Sequence, residues 1–174
     1  MKAHRFLAFF FVFLSLFSTT SCKKDNVVYV DSLPATELAE EARDDLETTD
    51  FRVAPRDWLS DYVTLPDGIN DYEICFSSDG SNLSEFGIFH VNPDQIAPLE
   101  ATLHTYLAES LSRNREFYNS YIPQETPKLE KAEIRVFGNY VCYAILNESD
   151  KSTFFATRLL SFVAKPGEKS HSWV

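Results

Sequence analysis

Lys131–Leu146 reads KAEIRVFGNYVCYAIL, and this stretch decides the fold. Two alternating runs, Glu133–Phe137 and Tyr140–Ile145, flank Gly138-Asn139. A glycine-first two-residue loop suits a tight hairpin turn with positive φ at its first position. Pairing Phe137 with Tyr140 sets Val136 opposite Val141 and Ile134 opposite Tyr143. One face then carries Ile134, Val136, Val141, Tyr143 and Ile145, which reads as core. The other carries Glu133, Arg135, Phe137, Tyr140, Cys142 and Ala144. On that second face the aromatic pair Phe137 and Tyr140, with Arg135 beside them, forms a candidate interaction surface.

Working outward from the hairpin, Tyr72–Phe76 alternates like a half-buried strand and Phe86–Val91 reads as its neighbour, with Ser77–Ser84 a polar connection. Asn92-Pro93-Asp94-Gln95 supplies a capping residue, Pro at the first helical position and Gln three residues on. Behind it Ile96, Leu99, Leu103, Tyr106/Leu107, Leu111 and Phe117/Tyr118 keep helical spacing to about Ser120. That stripe predicts a long helix whose Leu99, Leu103, Leu107 and Leu111 pack on the sheet. Tyr121-Ile122-Pro123 and Pro127 make a rigid link back to the hairpin. Ala35–Thr48 predicts an acidic amphipathic helix on Leu38, Ala42 and Leu46, and residues 51–71 an irregular segment anchored by Trp58 and Leu59. Ser152–Ala164 predicts an apolar C-terminal helix stopped by Lys165-Pro166-Gly167. The expected fold is one α+β domain over 35–165. It has a small, mostly antiparallel four-stranded sheet in ββαββα order, one long helix, and flanking N- and C-terminal helices, followed by a tail at 166–174.

The amino terminus carries a different signal. Lys2 and Arg5 precede Phe6–Phe17, a twelve-residue apolar run broken only by Ser15, and small residues follow up to Cys22. About 20 apolar residues are needed to span a bilayer, so this is the anatomy of an export signal. Ser18-Thr19-Thr20-Ser21-Cys22 is similar to the lipobox of bacterial lipoproteins. That similarity implies cleavage after residue 21, lipidation of Cys22 with diacylglycerol and palmitate, and a lipid-anchored tether over 22–34 on the extracytoplasmic side of the cell membrane. Without residues 1–21 the chain keeps 14 basic and 26 acidic residues, a formal charge of −12. So acidic a body argues against nucleic acid, whose binding rests on Lys and Arg. Its expected partners are membrane lipid through Cys22 and an envelope protein or extracellular ligand.

The core at 72–150 resembles a family of bacterial lipoproteins that share domain of unknown function 4358. The resemblance rests on Ser77-Ser78-Asp79-Gly80 followed by Glu85 and an apolar strand, on Tyr121-Ile122-Pro123-Gln124-Glu125, on Pro127-Lys128-Leu129-Glu130, and on Gly138-Asn139-Tyr140. It implies no activity, no cofactor and no catalytic residue.

The residues themselves offer little chemistry. After signal removal the histidines are His90, His104 and His171, none at metal-ligand spacing from a Cys or another His, and no hydrolase or nucleotide-binding motif occurs. A non-catalytic binding module near the membrane is the first expectation. A small cell-envelope hydrolase using carboxylates such as Glu85 is the alternative: a pocket holding two carboxylates within roughly 5–10 Å would favour it, and a flat, aromatic surface without such a pocket would favour the binding module. Alternation puts Cys75 and Cys142 on the same second face of the sheet. They could form a disulfide if strand order brings them together, or act as two buried apolar thiols under a covering helix.

Overall fold

The computed structural model describes residues 28–29, 33–46, 49–157 and 163–164. Cys22, the expected export signal, most of the expected tether and the 166–174 tail lie outside the described residues. The elements in order are β1 (Val28–Tyr29), α1 (Ala35–Asp45), β2 (Phe51–Val53), β3 (Ile69–Ser77), β4 (Glu85–Val91), α2 (Ile96–Tyr121), α3 (Thr126–Glu130), β5 (Glu133–Phe137), β6 (Tyr140–Ile145), α4 (Glu148–Thr157) and β7 (Val163–Ala164). The mixed α+β class holds, but the sheet has five strands, all antiparallel, in the order β2-β3-β4-β6-β5. The fifth is β2, placed by sequence in an irregular segment: only three residues long, it alternates too briefly to be seen, and pairing with β3 makes it a strand. Val163–Ala164, expected at the end of a helix, pairs with β1 instead, while α4 begins at Glu148, four residues ahead of the expected start.

The hairpin has the expected register, Phe137 with Tyr140, Val136 with Val141 and Ile134 with Tyr143, and Gly138 holds φ +58° at the first turn position. β6 then lies beside β4, so every residue of β6 is buried. This burial has two sources. One face of the sheet packs on α2, α3 and the segment after β2, through Ile74, Phe89, Val91, Val141, Tyr143 and Ile145. The other packs on α1 and α4 through Cys75, Phe86, Ile88, Phe137, Tyr140, Cys142 and Ala144. The domain is therefore a three-layer sandwich, with helices on both faces of the sheet.

This second layer corrects the expected interaction surface. Phe137 is 8% exposed and Tyr140 2% exposed, both inside the core under α1 and α4. Phe137 packs on the ring of Phe155 in α4, and the Arg135 guanidinium, the exposed member of the trio, lies 4.3 Å above the same ring. Tyr140 straps the chain entering α1. Its hydroxyl donates to the carbonyl oxygen of Leu33 at 2.8 Å, lies 3.2 Å from the Leu33 N–H, and its ring stacks on His90. His90 Nδ1 lies 3.2 Å from Asp71 Oδ1, while the other Asp71 oxygen accepts the Ala35 N–H. Pro34 has no side chain with which to cap α1, so a carboxylate from β3 caps it and meets the positive end of its dipole.

The two thiols share the α1 face, as alternation requires, but β4 lies between their strands. Two interstrand spacings separate them by about 9.5 Å, beyond the roughly 7 Å that a disulfide spans. Cys75 and Cys142 are free and buried, and burial pushes the Cys75 thiol up to about 12 and raises that of Cys142 as well.

On the opposite layer, a short 3-10 turn over Pro93–Gln95 leads into α2, and the Gln95 N–H bonds the Asn92 backbone carbonyl. Asn92 makes no side-chain cap, contrary to the pattern of its sequence. Leu99 and Leu103 are fully buried, but the inner line then passes through Tyr106 and Ser110, leaving Leu107 and Leu111 on its flank. The 3.6-residue period turns the strict four-residue leucine spacing off the contact line within two turns.

Candidate functional site

Glu85 opens β4 directly before the apolar run Phe86–Val91, and the strand turns its side chain toward α2. It is 7% exposed, yet among the described residues no lysine, arginine or histidine is bonded to it. Three neutral donors hold it instead. Oε1 accepts the hydroxyls of Tyr143 at 2.6 Å and Tyr106 at 2.7 Å, and Oε2 accepts the indole N–H of Trp58 at 3.1 Å. One carboxylate thus ties β4 to β6, to α2 and to the segment after β2. Burial raises its proton affinity against the pull of these three bonds, and burial beside Glu85 pushes both tyrosine hydroxyls well above 10, so they remain donors.

Gly87 makes the arrangement possible. It sits opposite Tyr143 in the β4–β6 ladder, and a Cβ at this position would lie 2.3 Å from Tyr143 Cε1 and 3.1 Å from Phe89 Cε2. The missing side chain lets the Tyr143 ring lie across β4 and carry its hydroxyl to Glu85. Trp58 is held by stacking on Phe76, with ring centroids 4.3 Å apart, and Tyr106 packs edge-on against both Tyr62 and Tyr143.

Beside this carboxylate opens a cleft of about 340 Å³. Trp58, Tyr62, Tyr106 and Tyr118 form its aromatic walls, and Asp57 and Asp61 join Glu85 as its carboxylates. Among the described residues no basic side chain lines it. Arg113 stands over the Tyr62 ring at 5.1 Å but is engaged elsewhere, donating to Glu109 and to the Asp61 backbone carbonyl.

Of the residues singled out from the sequence, Glu85 reaches this cleft, while Arg135, Phe137, Tyr140, Cys75 and Cys142 lie on the other layer or face it. The sequence marks Trp58 only as a packing anchor, and Tyr106 and Tyr143 only as core positions. Two signals mark the site in the sequence: an acid immediately ahead of a continuous apolar strand, and a glycine in that strand's interior. Among the described residues no group of three His, Cys, Asp or Glu side chains is placed to hold a metal ion. No described helix is long and apolar enough to cross a membrane.

Comparison with protein-family models, with curated proteins and with solved structures finds no match. The resemblance to the domain 4358 lipoproteins therefore rests on the residues quoted for it.

Proposed function

We propose that the protein is a lipid-anchored, extracytoplasmic lipoprotein of the domain 4358 type, and that it works as a non-catalytic binding module whose ligand enters the cleft over Glu85. The anchor reading draws on Lys2 and Arg5, the apolar run Phe6–Phe17 and the small residues before Cys22. The observation that carries the binding reading is the cleft itself: four aromatic rings surround a carboxylate whose two oxygens are already held by Tyr106, Tyr143 and Trp58. Aromatic walls with a few fixed polar groups are the usual make-up of a small-molecule site. Among the described residues the lining holds no histidine, cysteine or lysine that would activate Ser60 or Ser110 or shuttle a proton.

One observation favours the alternative, a cell-envelope hydrolase. Burial raises the proton affinity of Glu85 in a cleft that also holds Asp57 and Asp61, and a general acid needs such a carboxyl. Incubating the intact protein with isolated cell-envelope glycan separates the two readings. The binding reading expects no release of reducing ends. Release that disappears in Asp57→Asn or Asp61→Asn would overturn it in favour of hydrolysis.

A further inference from the structure

We infer that the ligand of this cleft is a small organic cation, an alkylammonium group seated between the aromatic walls and the carboxylates; the inference rests on the binding reading above. Charge is the first argument. Glu85, Asp57 and Asp61 line the cleft with no basic side chain among them, so an entering cation relieves a repulsion that a neutral ligand leaves in place.

The walls are the second argument. Trp58, Tyr62, Tyr106 and Tyr118 present π-systems, which attract ammonium groups more strongly where water is excluded. Arg113, a cation of the chain itself, already lies over the Tyr62 ring.

Hydrogen-bonding capacity is the third. A carboxylate offers about four acceptor positions. Three donors engage Glu85, only one of them on Oε2, so a hydroxyl or N–H carried by the ligand finds an acceptor there. An inorganic ion is the poorer occupant. A hard divalent cation gathers roughly six or more oxygens, and no group of three described acidic, histidine or cysteine side chains converges to begin such a shell. The acidity of the whole chain, −10 as translated, raises the local concentration of any cation near the mouth.

The test uses the intact protein, with the indole N–H resonance of Trp58 as reporter, assigned through Trp58→Phe. Three probes are titrated: choline chloride, its neutral isostere 3,3-dimethylbutan-1-ol, and calcium chloride. Choline is expected to shift the resonance saturably, with the neutral isostere at least 10-fold weaker and calcium without effect. Asp57 and Asp61 are exposed, so the double variant Asp57→Asn/Asp61→Asn should fold and melt like the parent. It should bind choline about 2- to 30-fold more weakly, the combined span of two exposed ion-pair contributions. Equal binding of the isostere, tighter binding of calcium, or unchanged choline affinity in the double variant would overturn the cation and leave the binding cleft standing. A Trp58 resonance that no probe moves would overturn the cleft as a binding site as well.

Discussion

Gly87 shows how much of the site depends on one absent atom. Because a Cβ there would meet the Tyr143 ring at 2.3 Å, Gly87→Ala must displace the ring that holds Glu85. The expected cost is about 1–3 kcal/mol, as for other overpacked interiors, read as a lower midpoint in denaturant unfolding. Glu85 itself gives a pH signature. Burial raises its folded-state affinity for a proton above the ordinary value of 4.5, so the folded chain holds that proton more tightly than the unfolded one. Its contribution to stability is therefore fully present below 4.5 and is lost as pH rises through the raised value. Glu85→Gln removes this dependence. Its amide replaces one acceptor oxygen by a donor, so one of the three bonds must be lost or reversed, at a cost of about 1–3 kcal/mol. The difference in unfolding midpoint between the two proteins should therefore depend on pH above 4.5. Parallel profiles from pH 4 to 8 would show that Glu85 does not titrate there.

Among the elements, α2 and the sheet separate what periodicity can say from what packing adds. Leu103 lies on the contact line, and Leu103→Ala should cost on the order of 2–5 kcal/mol. Leu107 is on the flank, where Tyr106 takes the inward position, so Leu107→Ala should cost only about 1–2 kcal/mol because part of its surface never leaves water. Matched losses in urea unfolding would place both leucines on the line. The sheet makes a prediction through its cysteines. With β4 between them, Cys75 and Cys142 should both titrate as free thiols in denatured, unreduced protein and both resist alkylation while it is folded. Absence of both thiols from the denatured, unreduced protein would contradict the strand order.

For the molecule as a whole, the described chain enters the folded domain at Leu33–Ala35, where Tyr140 and Asp71 hold it. Cys22→Ala should abolish palmitate labelling and shift the protein from the membrane to the soluble fraction, and a variant that still labels would refute lipidation at this cysteine. The folded domain should melt as before, because residue 22 precedes every described element.

The sequence by itself determined the hairpin, its register and its turn, because the two-residue loop and the alternation of side chains are local and sufficient. It also determined the long helix, the α+β class and the shared face of the two cysteines, all of which follow from periods of 3.6 and 2. Tertiary structure decided the rest. Phe137 and Tyr140 look like a surface until α1 and α4 cover them, and alternation cannot tell a solvated face from one buried by distant helices. β2 is too short to alternate visibly and exists because β3 offers it an edge. Glu85 was legible as an acid at a strand start, but its partners Trp58, Tyr106 and Tyr143 stand 27, 21 and 58 residues away in sequence. Only the packing of α2 and β6 around β4 brings these donors to one carboxylate, because no local period links residues so far apart.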